Sequence, residues 1–139
     1  MDEFDLSGVI ESKVCNAKIT NASPSFGGYI IASAAGGLVG AAITGVVLKV
    51  FKSMTSGLWV GGRVYLTSSC LLFEPNKVNK FLHDDVGVVR IPVGEINTVE
   101  REFGFVTGIV RVCTEHGDFK FRCYGAREFA DKIKLVLNC

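Results

Sequence analysis

Between Lys18 and Lys49 the chain carries no charged residue, and this gap limits what it can fold into more than any other feature. At its heart lies Gly27–Phe51, GGYIIASAAGGLVGAAITGVVLKVF. As a helix rising ~1.5 Å per residue, Gly28–Leu48 would span roughly 30 Å, about one hydrocarbon core. Small residues recur at every fourth position in two adjacent columns, Gly28, Ala32, Gly36, Gly40, Thr44 and Ser33, Gly37, Ala41, Gly45. On a helix they form one flat face of the kind through which membrane helices approach each other. An oligomer interface is therefore expected at Gly28, Ala32, Gly36, Gly37, Gly40 and Gly45. Ile30, Ile31, Leu38, Val46 and Val47 would cover much of the remaining surface and meet lipid. Tyr29 and Trp59 bracket the run, and amphipathic rings suit a bilayer interface; Trp59 also heads a strand pattern, where a core position fits equally. Lys49 and Lys52 flank the run, and each can contribute ~1 kcal/mol near an anionic leaflet.

In water this segment would be a poor helix, because each Gly costs ~1 kcal/mol relative to Ala. Two environments can hold it. Hydrocarbon forces a backbone to satisfy its own hydrogen bonds. The alternative is a buried Gly/Ala helix or hairpin at a tight interface inside a soluble oligomer.

The 139 residues suggest one domain with attachments, and a net charge of +1 argues against a general nucleic-acid binder. Mean hydropathy is +0.35, high for a soluble domain, and the uncharged run supplies much of the excess. The five cysteines, Cys15, Cys70, Cys113, Cys123 and Cys139, form no CxxC pair. Reduced thiols in a cytosolic setting are expected, with no metal and no disulfide framework. The acidic opening Met1-Asp2-Glu3-Phe4-Asp5 is unlike a cleaved signal peptide.

Val9–Ile19 alternates loosely and is read as a first strand, and Thr20–Ser25 carries turn chemistry. Asn21-Ala22-Ser23 is formally a glycosylation sequon, discounted for the following Pro24 and the cytosolic reading. After the uncharged run the texture changes to short strands: Leu58–Thr67 with a kink at Gly61-Gly62, Cys70–Glu74, Val88–Pro92, Ile96–Arg101, Thr107–Thr114 and Phe119–Cys123. Lys77–Asp85 reads as a polar loop and Glu115–Asp118 as a hairpin turn. Ala126–Leu137 has helical periodicity, with Phe129, Ile133, Val136 and Leu137 on one face and Glu128 four residues before Lys132.

In this order the residues Gly62-Arg63-Val64-Tyr65-Leu66-Thr67-Ser68, Cys70-Leu71-Leu72-Phe73, Val89-Arg90-Ile91-Pro92-Val93, Glu95-Ile96, Val99-Glu100 and Gly117-Asp118-Phe119-Lys120-Phe121 resemble the motifs of the GRAM domain, a branch of the PH-like superfold. Ser69 and Cys70 depart from the basic or Asn residue usual after the Leu-Thr pair. The resemblance covers about Leu58–Leu137. It implies an α+β fold: a bent antiparallel sheet of about seven strands with a C-terminal helix. It further implies a non-enzymatic module that is membrane-associated or protein-binding, since some eukaryotic members bind anionic lipids. The expected organisation is a lead with the first strand over 1–26, the hydrophobic segment over 27–56, and the GRAM/PH-like domain over 57–139.

If Val9–Ile19 is the first strand, the connection Thr20–Ser56 holds about 37 residues, far beyond the usual ~4–6. One crossing would then divide the sheet across the bilayer, and two would need ~40 apolar residues. A re-entrant hairpin with its break at Gly36-Gly37, or an oligomer of packed segments, satisfies both limits. So does a single crossing with Val9–Ile19 outside the sheet, which would place the domain at the cytoplasmic face beside Lys49 and Lys52.

Catalytic signatures are sparse. His83 and His116 fall in turn-like stretches, no Ser/His/Asp or HExxH pattern occurs, and Gly36–Gly40 lacks the Lys-Ser/Thr ending of a phosphate loop. Lys77 and Lys80 share a loop, and Arg111, Lys120 and Arg122 are expected on one sheet face, offset by Glu95, Glu100 and Glu102. The sequence therefore predicts a non-enzymatic, membrane-associated module facing the cytoplasm. Its partners would be membrane lipids, further copies of itself and an unspecified protein, without cofactor or nucleic acid. The competing class is a soluble structural or interaction oligomer.

Overall fold

The computed structural model describes residues 8–29, 49, 51–76 and 89–138. Among these, the chain forms β1 (Val9–Thr20), β2 (Val60–Thr67), β3 (Cys70–Pro75), β4 (Val89–Pro92), β5 (Thr98–Glu102), β6 (Gly108–Thr114), β7 (Gly117–Cys123) and a C-terminal helix (Ala126–Leu137). The strands make one seven-stranded sheet in the order β4-β3-β2-β1-β7-β6-β5, and every neighbouring pair is antiparallel. This is the seven-stranded antiparallel sheet with a C-terminal helix that the sequence motifs imply.

β1 is central. It pairs with β2 from Val9 to Ala17 and with β7 from Asn16 to Thr20, so one long strand passes from one half of the sheet to the other. Period-two alternation sets which side chains turn inward. Cys15, Ala17 and Ile19 of β1 and Phe119, Phe121 and Cys123 of β7 are buried. The helix covers them with Phe129 and Ile133, both fully buried, and Phe129 meets Phe121 edge-on at 5.4 Å. Val136 and Leu137 pack at the margin of this core.

Two local expectations are corrected, and the structure accounts for a departure from the family motif. The ladder runs in register through Gly61-Gly62 without a kink. Gly62 is needed instead because a Cβ there would lie 2.4 Å from the Glu74 carbonyl and 2.9 Å from the Phe73 ring. Lys132 does not pair with Glu128; its Nζ donates to Glu11 Oε1 at 2.6 Å and ties the helix to β1. The Ser69-Cys70 departure has no consequence, because Thr67 Oγ1 accepts from the amides of both and holds the β2–β3 turn.

Candidate functional site

The site is the end of the sheet where the chain leaves β1 and returns to β2. Directly after β1, Asn21, with a φ of 55°, turns the chain in the left-handed region that Asn tolerates. A 3-10 helix, Pro24–Tyr29, follows. The chain is next described at Lys49 and at a helical turn over 51–55, which leads through Gly57 at φ 99° into β2. These two stems pack on each other. Phe26 and Met54 are completely buried and Tyr29 is 5% exposed. Phe26 stacks on Phe51 at 6.3 Å and meets Tyr29 edge-on at 5.1 Å.

The β6–β7 turn holds the first stem down. The Ser23 amide donates to the His116 carbonyl at 2.8 Å. Ser25 Oγ lies 2.8 Å from His116 Nδ1 and Ser23 Oγ 2.8 Å from Ser25 Oγ. Asn21 Nδ2 donates to Asp118 Oδ2 at 3.3 Å. Gly117 has φ 147°, and a Cβ on it would meet Ala22 and Phe26 at 2.9 Å; the glycine of the hairpin motif is therefore where the stem crosses the turn. Tyr29 Oη donates to Glu95 Oε1 at 2.7 Å. Burial first, and then this bond to a carboxylate, push the phenol up to about 12.

Beside the stems the outer sheet face is basic. Lys18 and Arg122 lie 4.6 and 4.7 Å from the centroid of the half-buried Trp59 ring. Cations so placed gain ~0.5–1 kcal/mol each from an aromatic ring at exposed sites. Lys49, Lys52 and Leu58, in or just after the second stem, are exposed. Further along the same face, Arg111 bonds Asp118, Glu100 and Glu102, and Lys120 bonds Glu102. The expected row of Arg111, Lys120 and Arg122 is thus formed by β6 and β7, with Glu100 and Glu102 offsetting the first two. Glu95 serves Tyr29 instead.

The other residues singled out in the sequence fall as follows. Tyr29, expected at a lipid interface, is core, because its ring is covered by Phe26 and its hydroxyl is bound by Glu95. Gly28, expected on a long α-helix, lies in the 3-10 helix. Ile30, Ile31, Ala32, Gly36, Gly37, Leu38, Gly40, Gly45, Val46 and Val47 lie outside the described residues, as do Lys77, Lys80 and His83. His116 does sit in the β6–β7 turn, but it is bonded to Ser25 and lies 5.7 Å from the Tyr29 ring, so it is more than a solvated turn residue. The sequence assigns no site role to Lys18, Ser25 or Gly117, whose roles depend on contacts between distant parts of the chain. Only the turn signal around Ser25 and the glycine of the hairpin motif hinted at them.

Among the described residues no helix is long and apolar enough to cross a membrane, and no group of three or more His, Cys, Asp or Glu is placed to hold a metal. The model of one protein family, described as the GRAM domain, matches residues 46–138. The match begins after β1, although β1 stands at the middle of the sheet. No curated protein matches the chain.

Proposed function

The chain belongs to the GRAM domain family, and from that premise we propose that it is a non-enzymatic module attaching to a membrane lipid surface at the stem end of its sheet, and self-assembling there through its Gly-rich segment. GRAM domains are commonly membrane- or lipid-associated. The observation that carries the reading is the packing of Phe26 on Phe51. With β1 inside the sheet and the two stems side by side, the uncharged run leaves and returns at one place. A single crossing that keeps β1 apart from the sheet is thereby removed from the options. A re-entrant hairpin, or segments packed between copies, fits the length. Exposed Lys49 and Lys52, with Lys18 and Arg122 around Trp59, supply cations where an anionic leaflet would lie.

The Ser25–His116 pair is no argument for catalysis. It joins a stem to a turn and lies at the surface. The soluble alternative keeps the same stems and buries the run between copies.

Flotation with vesicles of phosphatidylcholine and phosphatidylserine tests the reading, using the full chain and a variant with residues 30–48 replaced by a short Gly/Ser linker. The full chain is expected to float and the variant to stay folded in solution. A full chain that remains in solution as a defined oligomer would favour the soluble alternative. A variant without native circular dichroism would make the run part of the core.

A further inference from the structure

The cysteines form no pair by their spacing in the sequence, but the fold brings two of them together. The β1–β7 ladder runs from Thr20↔Asp118 to Asn16↔Arg122. Both strands continue past its end, and one further step sets Cys15 opposite Cys123. In the same register, Ala17 faces Phe121 and Ile19 faces Phe119, and all four are buried in the core. By period-two alternation both thiols therefore turn inward as well, and each cysteine is 3% exposed. Residues directly opposite on antiparallel strands have Cα atoms about 4.5 or 5.5 Å apart. Both spacings fall within the roughly 4.4–6.8 Å that a disulfide spans.

On its other side Cys15 faces Gly62 of β2, and Cys123 faces Gly108 of β6. The inner row thus reads Gly62, Cys15, Cys123, Gly108, with no side chain at either flank. The Phe73 ring fills the place at Gly62, where a Cβ would lie 2.9 Å from it, and the Ala126 methyl fills the place at Gly108, at 3.0 Å. Each sulfur is left with the other as its partner along the row. Burial first, and then the neighbouring Cys123, push the Cys15 thiol up. Burial also pushes Cys123 up, but the Lys13 ammonium opposes it, so Cys123 is the thiol better placed to ionise.

We propose that Cys15 and Cys123 are a redox-sensitive modification site, joined into a cross-strand disulfide by exchange with a small-molecule disulfide such as oxidised glutathione. The Cys123 thiolate attacks one sulfur of the oxidant, which gives a mixed disulfide and releases the first small thiolate. The Cys15 thiolate then attacks the Cys123 sulfur and displaces the second. The protein is oxidised by two electrons, the oxidant is reduced to two thiols, and the two protein thiol protons pass to them. Topology gives the bond its consequence. Among the described residues, β1–β7 is the one strand pairing that joins β4-β3-β2-β1 to β7-β6-β5. Its ladder ends at Asn16↔Arg122, while β1 runs on beside β2. A disulfide at 15–123 staples this fork and ties the two halves of the sheet. Because both sulfurs are buried, exchange requires the fork to open, and the bond once formed is shielded. This inference does not rest on the membrane reading.

The test equilibrates the reduced full chain, without denaturant, in glutathione buffers of increasing oxidised share. The samples are then quenched with N-ethylmaleimide, digested, and analysed by mass spectrometry without reduction. A peptide linking Cys15 to Cys123 is expected, and dithiothreitol should remove it. The oxidised protein should unfold at a higher urea midpoint than the reduced one, because the bond constrains the unfolded chain. Cys15→Ala and Cys123→Ala should each abolish the linked peptide and the rise in midpoint. Cys113→Ala, at a half-buried thiol of β6, should leave both in place. Recovery of Cys15 and Cys123 only as alkylated thiols or as separate glutathione adducts overturns the proposal. So does a link that uses Cys70 or Cys113 instead. A Cys15–Cys123 link that forms only in urea, or that lowers the midpoint, would show that the folded strands do not hold the two sulfurs in bonding geometry, and overturns it as well.

Discussion

Two aromatic clusters sit at opposite ends of the β6–β7 pair, and they differ completely in exposure. At the stem end Phe26 and Tyr29, with Phe51 beside them, lie in or against the core. At the other end, the tip formed by the β5–β6 connection, Phe103 and Phe105 stand in water. Composition does not distinguish them. Both lie in connections, next to glycines, among polar neighbours. The stem end has a second chain segment returning over it, together with the polar ties from Ser23, Ser25 and Tyr29 to the turn and to Glu95. The tip has neither, since its Gly104 closes the turn too tightly for the rings to fold back. Burial is thus decided by whether a connection returns across the sheet, and apolar residues that do not return are available to an outside partner.

The sharpest way to break this contrast is to truncate one ring at each end. Phe26→Ala should destabilise the fold by about 3–5 kcal/mol through lost burial and a cavity. Phe105→Ala should change stability by less than about 0.5 kcal/mol. Urea unfolding followed by circular dichroism compares them directly. Equal losses would mean that the tip is covered in solution or that the stem is dispensable to the core.

The backbone of the tip should behave unlike its rings. Gly104→Ala must push apart atoms of the Gly104–Thr107 contact, and a loss of about 1–3 kcal/mol is expected, in the range of overpacked sites. The same unfolding measurement applies. A neutral Gly104→Ala alongside a neutral Phe105→Ala would show a slack loop, and the rings would no longer be presented rigidly.

The contrast also marks what could be read from the sequence. The strands from Val60 onward and the helix Ala126–Leu137 were legible because alternation and helical periodicity are local, and because the motifs from Gly62 to Phe121 keep their order. β1 was legible as a strand, but its central place was not, since pairing with both β2 and β7 is a property of distant segments. Tyr29 was misplaced for a physical reason. It borders an apolar run and so looks like an interfacial ring, yet Glu95 and Phe26 approach it from other parts of the chain. Trp59 looked equally like core or interface, and it is half-buried between two cations. The exposed tip is not legible, because Phe103, Phe105 and Val106 lie between the strand patterns Ile96–Arg101 and Thr107–Thr114, and local alternation does not tell which connection stays in water.

Tyr29 offers a finer probe of the stem end. Its phenol, ordinarily near 10, is pushed up to about 12 by burial and by Glu95. The unfolded chain therefore loses this proton first. The contribution is intact below pH 10 and declines as the pH rises from 10 to about 12. Tyr29→Phe should remove that decline. At neutral pH it should cost about 1.5–3 kcal/mol for a lost bond to a charged acceptor. Urea midpoints at pH 8, 10 and 11.5 read both effects, and an identical alkaline slope in the two proteins would place the Tyr29 hydroxyl in water.

The smallest effect is expected at the Glu11–Lys132 pair, which ties the start of β1 to the helix. Glu11 lies below the usual carboxylate value of 4.5, first through the hydrogen bond from Lys132 and with help from the charges of Lys132 and Lys13, while partial burial opposes the shift. A depressed folded value stabilises the protein above the unfolded value of 4.5, and the gain disappears as the pH falls through the folded value. The side chains are 45 and 23% exposed for Lys132 and Glu11, so water and salt screen the attraction, and Glu11→Gln should cost only about 0.2–1 kcal/mol at pH 7. At pH 3 the variant and the parent should approach one another, and molar salt at pH 7 should shrink the gap as well. The urea midpoint difference measured at both pH values decides the point. A gap above about 2 kcal/mol that persisted in salt would mean that the pair is shielded from solvent, and the helix would then be fastened to β1 as firmly as the stems are fastened to the β6–β7 turn.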